Sequence, residues 1–259
     1  MEINHPHLGK FKIFSELGRG SFASVYLAHH TTLHYPVALK IYHKDANEDE
    51  AYKSFKATKS IFHPLICQNF DIIKTSSGNI CIFMEYIDGK TLLDYANDLG
   101  HLYESQIKSI FGQLVTAIDY LHTQKIIHRD LKCENIMIDQ NKNIRLIDLS
   151  FSCPNTDEHS TLCGSPAYIA PEIIERLPYN DSIDIWSLGV IIYAITFGKL
   201  PFENSNYSLL FKIITTMEPT YPTNSRFSDN LVDLIRMMLI KNPNKRITID
   251  EIKDHPFFE

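Results

Sequence analysis

Short apolar runs open the chain. Between Phe11 and Ile41, the runs Ile13-Phe14, Val25-Tyr26-Leu27 and Val37-Ala38-Leu39 are separated by a glycine turn and by Pro36, which predicts three strands. The segment from Ala46 to Phe62 is charged, with Tyr52, Phe55 and Ile61 as sparse apolar points. It predicts one amphipathic helix, ended by Pro64. From Cys67 to Tyr86 two further apolar runs flank Thr75-Ser76-Ser77-Gly78-Asn79, the composition of a hairpin turn. Five strands and one helix therefore make a small β-rich unit, ending at a hinge over Glu85 to Lys90 where a ligand can sit.

The periodicity changes after Asp88-Gly89. Ile107, Ile110, Leu114, Ala117, Ile118 and Leu121 recur every three or four residues, which predicts a helix of about five turns. The most apolar stretch, Ile183 to Phe197, contains Asp184, Trp186 and Ser187 and is shorter than the ~20 residues a membrane span needs, so it reads as a helix inside a protein core. Glycines and prolines from Gly164 to Pro243 separate several more helices of ordinary length. No internal repeat or long linker interrupts them.

Composition excludes several classes. Hydrophobic residues make up 44% of the chain and charged residues 22%, so it buries a core and is not disordered. A net charge of -6 gives no global basic field for nucleic acid or an anionic bilayer, and suits a basic peptide better. The five cysteines are odd in number and lack metal-ligand spacing, which predicts reduced thiols. The first residues carry no basic start followed by an apolar run, so a secretory signal is not expected. The expected location is the cytoplasm, with the nucleus as the alternative.

Gly18-Arg19-Gly20-Ser21-Phe22-Ala23-Ser24-Val25 lies between two predicted strands. Such a turn is either a plain hairpin or a cover whose N–H groups and small residues admit phosphates. A strand on each side argues against a dinucleotide-binding fold, in which a helix comes next. Lys40 ends an apolar strand, and is either simply solvated or a cation for phosphates. The string Ile127-His128-Arg129-Asp130-Leu131-Lys132-Cys133-Glu134-Asn135 is far more specific. It offers Asp130 to accept a hydroxyl proton, Lys132 to neutralise a moving phosphoryl group, and Asn135 to hold a metal. Asp148 follows a second apolar run, and Asn135 with Asp148 makes an oxygen pair suited to magnesium (Mg2+).

These motifs resemble the protein kinase superfamily from about Phe11 to Phe258. Further matches are Cys163 to Glu172, similar to the end of a kinase activation segment, Asp184-Ile185-Trp186-Ser187-Leu188-Gly189, and Asn242-Pro243-Asn244-Lys245-Arg246. The resemblance implies an α+β, two-lobed fold: a small five-stranded β lobe with one main helix over 8–87, and a larger, mainly helical lobe over 88–259. Together they would be a single catalytic domain, beginning just before its first strand, stopping after its last helix and leaving no segment for a regulatory tail. It also implies ATP and Mg2+ as ligands and protein serine or threonine as acceptor. Lys132 two residues after Asp130 marks the serine/threonine class, and the wording is similar to the calmodulin-dependent and AMP-activated branch.

Residue by residue, the resemblance puts Leu17, Gly18, Gly20, Val25, Ala38 and Lys40 around the nucleotide, with Met84 behind the adenine and Glu85 and Tyr86 supplying hinge contacts. Asp184 would anchor the catalytic loop, Arg246 would pair with Glu172, and Glu134 would attract a basic residue upstream of the acceptor. Thr91 and Ala194 stand where strongly arginine-directed members carry acids, so the expected preference for basic peptides is mild. Arg129 implies control by a phosphate, with Thr161 as the expected phosphosite and Ser160 or Thr156 as substitutes. Three departures stand out: Ala23 replaces a glycine, Asp148-Leu149-Ser150 replaces Asp-Phe-Gly, and Ser54 occupies the position of the helix glutamate, with Glu50 one turn earlier. They keep a second reading open, that of a pseudokinase which binds nucleotide and acts as a scaffold or allosteric partner. Oligomeric state is not legible.

Overall fold

Six strands, one more than the sequence predicts, make the sheet of the first unit, residues 1–88, among the described residues. The structure is a computed structural model. It describes the chain apart from residues 1, 21, 45–46, 150, 156–163 and 223–225 and the side chains of Glu50 and Pro154. The strands are β1 (Glu2–His5), β2 (Gly9–Arg19), β3 (Ala23–His30), β4 (Pro36–Tyr42), β5 (Asn69–Lys74) and β6 (Ile80–Glu85). They run antiparallel in the order β1-β2-β3-β4-β6-β5. Pro36, read as a break, is the first residue of β4, where a missing N–H is tolerated.

The added strand β1 is short and mostly polar, and it is held by two buried side chains, Ile3 and His5. His5 Nδ1 accepts the backbone N–H groups of His7 and Leu8 at 3.1 and 3.0 Å, so its proton sits on Nε2 and is donated to Asp71 Oδ2 at 3.1 Å. Asp71 belongs to β5, the opposite edge strand. The sheet therefore curls until its two edges nearly meet.

Alternation along β4 sorts the two faces of this sheet. Val37 and Leu39 join Ile3, Phe11, Ala28, Cys81 and Phe83 in one apolar cluster. Tyr42 belongs to a second cluster with Ala23, Ile80, Ile82 and two residues of α1 (Glu48–Thr58), Ala51 and Phe55. The helix is shorter than the predicted span of Ala46 to Phe62. The Thr58 hydroxyl donates to the Ser54 carbonyl at 2.9 Å and accepts Asn69 Nδ2 at 3.2 Å, and Ile61 turns back to be buried outside the helix. Tyr52, one of the apolar points, stays exposed.

The second unit, Gly89–Glu259, is mainly helical. Its strands are β7 (Gly89–Thr91), β8 (Ile126–Ile127), β9 (Ile136–Asp139), β10 (Ile144–Leu146) and β11 (Cys153–Pro154), set in a three-stranded and a two-stranded sheet. Its helices are α2 (Leu92–Leu99), α3 (Glu104–Thr123), α4 (Pro171–Ile174), α5 (Ser182–Phe197), α6 (Tyr207–Thr216), α7 (Asp229–Met238) and α8 (Ile249–Lys253). The predicted apolar helix is α5, buried on nearly every side, with Trp186 and Tyr193 wholly enclosed. It packs against α3 and α7. No described helix is long and apolar enough to cross a membrane.

Candidate active site

The loop after β8 carries a dense polar cluster, and its centre is Asp130, 5% exposed. Lys132 Nζ lies 3.0 Å from Asp130 Oδ2, Ser165 donates its hydroxyl to Oδ1 at 2.9 Å, and Lys132 also donates to Ser165 Oγ at 2.8 Å. Asn135 Nδ2 donates to the Asp130 carbonyl at 2.8 Å and to Oδ2 at 3.1 Å. Both carboxylate oxygens thus face hydrogen-bond donors. A hydroxyl brought to this carboxylate meets an acceptor for its proton and a lysine able to offset growing negative charge.

The segment leading to Asp148 is tied to the same loop, because the Ile147 N–H donates to the Asn135 carbonyl at 2.8 Å. With its amide nitrogen committed to Asp130, Asn135 has its side-chain oxygen left as a ligand atom. That oxygen and the Asp148 carboxylate are both hard donors, the chemistry that fits Mg2+, which takes few protein oxygens and completes its shell with phosphate and water. Asp148 and Arg129 both adopt left-handed backbone angles, φ 60° and 69°, a conformation non-glycine residues hold only when their surroundings impose it. Leu149 is buried, and Ser150 lies outside the described residues.

Asp184, at the start of α5, does the imposing at Arg129. Its Oδ1 accepts the Arg129 N–H at 3.0 Å, and its Oδ2 accepts the His128 N–H and His122 Nε2, both at 2.9 Å. Burial pulls the Asp184 carboxyl up, but the His122 hydrogen bond and the nearby imidazole charges outweigh it and hold it below the usual carboxylate range. Burial likewise disfavours a charged His122, and the bond to Asp184 reverses this and raises it above the usual imidazole value. Burial pushes His128 down, and its Nδ1 accepts the Asp130 N–H at 3.3 Å. Gly164 closes the site from the far segment: at φ 97°, any Cβ there would meet the Arg129 carbonyl at 2.8 Å.

In the first unit, strand register gathers the expected nucleotide residues. Gly18 pairs with Val25, Val25 with Lys40, and Ala38 with Met84. Directly paired residues share a face, so Val25, Ala38, Lys40 and Met84 line the same side of the sheet. Leu17 is exposed beside them. Among the described residues nothing demands glycine at Gly18 or Gly20: neither has a positive φ, and an added Cβ meets nothing within 4 Å at Gly18 and only the Ala23 carbonyl at 3.5 Å at Gly20. The Glu85 N–H is committed to the Gln68 carbonyl at 2.9 Å, while Tyr86 follows the end of β6.

A family model described as a protein kinase domain matches residues 11–258. The chain belongs to this family. Curated relatives are serine/threonine kinases. The kinase domain is 38% identical over 258 residues to "SNF1-related protein kinase catalytic subunit alpha KIN12" of Arabidopsis thaliana, covering 97% of this chain and 52% of the relative. It is 38% identical over 261 residues to the "Carbon catabolite-derepressing protein kinase" of Saccharomyces cerevisiae, covering 98% and 41%. It is 36% identical over 259 residues to "Serine/threonine-protein kinase SIK2" of Gallus gallus, covering 97% and 32%. The chain spans about half the length, or less, of the curated relatives it matches.

In this kinase domain Glu172 and Arg246 form a buried two-pronged ion pair, 2.6 and 2.9 Å, between α4 and the turn before α8. Ser165 is the site residue that reading the sequence did not single out. Its only signal was the Gly164-Ser165-Pro166 string, and its bond to Asp130 spans 35 positions. Cys133 is buried, and burial pushes its thiol up to about 12, so it is no nucleophile. Glu134 is exposed on the rim. Ser54 is buried on α1, whereas the Glu50 side chain and all three phosphosite candidates, Thr156, Ser160 and Thr161, lie outside the described residues.

The His122–Asp184 pair predicts a pH signature. Because the folded state raises His122, its contribution is complete below the ordinary histidine value and is lost as pH rises through the raised one. Asp184, being lowered, contributes fully above the ordinary carboxylate value and loses that contribution only as pH falls through the lowered one. Replacing His122→Gln should therefore cost about 1–3 kcal/mol near pH ~6 and distinctly less near pH ~9, read from urea unfolding at both. An equal cost at both values would mean that His122 is buried neutral.

Proposed function

We propose that this chain is the catalytic domain of an active serine/threonine kinase, moving the γ-phosphoryl group of ATP to hydroxyls of protein substrates. The observation that carries the reading is the buried Asp130 carboxylate with Lys132, Ser165 and Asn135 all within 3.1 Å. As the alcohol oxygen bonds to the γ-phosphorus, the bond to the ADP oxygen breaks and Asp130 takes the hydroxyl proton. Lys132 offsets the charge on the transferring group. Bound Mg2+, held by Asn135 and Asp148, would supply charge neutralisation across the phosphates. Lys40 and the turn at Gly18 and Gly20 serve the phosphates, and Val25, Ala38 and Met84 serve the adenine.

Glu134, exposed on the rim, supports a mild preference for basic substrates. The two positions that would strengthen it are neutral here: Thr91 caps α2 through Asp94, and Ala194 lies on α5. Arg129 donates to the Phe151 carbonyl at 2.6 Å and to the Tyr179 hydroxyl at 3.3 Å. A phosphate on Thr161 would compete for that guanidinium and order the segment, which is the proposed mode of control.

The buried Ser54, standing where a glutamate is expected, favours the scaffold as the second reading. The deciding experiment is phosphate transfer from ATP to a generic basic protein, set against an Asp130→Asn control. Transfer well above the control supports the enzyme. Transfer equal to it, with ATP still raising the unfolding midpoint, supports a nucleotide-binding scaffold.

A further inference from the structure

A cleft of about 960 Å³ opens in the second unit along α2, the turn Cys133–Asn135, the segment Ser165–Tyr168 and the end of α5. It is lined next to Asp130 by Ser165, so it is the natural bed for a substrate chain. Charge along it is uneven. Glu134 marks one end, four positions after Asp130, in a turn that packs against β7 and α2. Arg226 marks the other, where its guanidinium donates to the Leu102 carbonyl at 3.4 Å, just beyond Gly100, the cap of α2. The neighbouring Phe227 ring lies 6.1 Å from Phe197 in the last turn of α5.

Two helices measure the separation. The eight residues of α2, running from the Glu134 end to the Arg226 end, span about 12 Å at ~1.5 Å per residue. Along α5, Phe197 lies 197 − 184 = 13 residues past Asp184, the anchor of the catalytic loop, or about 20 Å.

Arg226 is held in position. Its guanidinium stacks on the Phe227 ring at 4.9 Å, and Ser228 is latched to Glu104 by its N–H at 2.8 Å and by its hydroxyl. The Glu104 carboxylate is taken up by that latch. Lys199 and Glu203 also line this end of the cleft with opposite signs, and Glu203 accepts the Leu200 N–H at 3.2 Å. Arg226 makes no ion pair among the described residues, which leaves most of its five N–H donors directed to whatever enters.

We propose that this groove reads a substrate of two charges: a basic side chain against Glu134 and an anionic side chain against Arg226. At ~3.3 Å per residue of extended chain, the anion lies about four residues upstream of the base. This rests on the kinase reading and adds a specificity residue to it.

The test is a positional scan. Peptides with a fixed serine acceptor and a fixed upstream arginine carry a single glutamate, or a single phosphoserine, at successive positions further upstream. Turnover gives KM, and fluorescence anisotropy gives binding without any transfer. One position should lower KM and Kd about threefold to fivefold, the size of an exposed ion pair. The gain should vanish in Arg226→Gln and pass to a lysine-bearing peptide in Arg226→Glu, with unfolding midpoints confirming that both variants fold. Gains from glutamate and phosphoserine alike, or from one alone, tell which anion is read. A flat scan, or a gain that survives Arg226→Gln, overturns the proposal. If no peptide is phosphorylated while the anisotropy pattern holds, the kinase reading fails and the groove reading stands.

Discussion

Asp130→Asn is expected to slow phosphoryl transfer by about 10²–10⁴-fold, the range for losing a positioned general base. The substitution nearly preserves shape, so its effect is chemical. The carboxylate meets Ser165 on one oxygen and Lys132 and Asn135 on the other. An amide keeps one acceptor oxygen and turns an NH2 toward donors, so at least one of these contacts becomes a repulsion. It also no longer accepts the hydroxyl proton. The loss should fall on kcat more than on KM for ATP, because acceptance of the hydroxyl proton acts only as the reaction proceeds and not in ground-state nucleotide binding. Single-turnover measurement at saturating ATP reads it directly, and a loss confined to KM would remove Asp130 from the reaction.

Arg246→Leu should lower stability by about 3–5 kcal/mol, the cost of breaking a buried pair from one side. Arg246 and Glu172 have side-chain exposures of 0% and 1%. The guanidinium also donates to the carbonyls of Ser182, Ile240 and Lys241, so one side chain fastens α4, α5 and the segment after α7. Removing it strands a buried carboxylate and three carbonyls. At about 2–4 °C per kcal/mol for a chain of this size, the unfolding midpoint should drop by roughly 10 °C. Replacing both partners with apolar residues, Glu172→Leu with Arg246→Met, should recover part of the loss. A midpoint within a degree or two of the parent would contradict the arrangement.

What the sequence showed depended on how local each feature is. Asp130, Lys132 and Asn135 stand within six consecutive positions, so their shared chemistry is readable as a string. Ser165 completes the same cluster from 35 positions away, and nothing in Gly164-Ser165-Pro166 says that its hydroxyl will reach a carboxylate. His122 was invisible for the same reason: it lies on the buried face of a helix whose period is plain, but its partner Asp184 is 62 positions on. The apolar helix at Ile183 to Phe197 was legible because it is apolar all round. The limits of α1 were not, since charged residues continue to Lys59 and only the Thr58 side-chain bonds show why the helix stops. Strand β1 offers four residues, three of them polar, too few for alternation to register.

That first strand bears on where such a domain should be cut. The family match begins at Phe11, inside β2, and a chain trimmed there would lack Ile3 and His5. The rings of Phe83 and Phe11 would then face water, and the curled sheet would lose the bolt joining its two rims. The boundary set by likeness to relatives is thus narrower than the boundary set by packing, and residues 2–10 belong to the folded body.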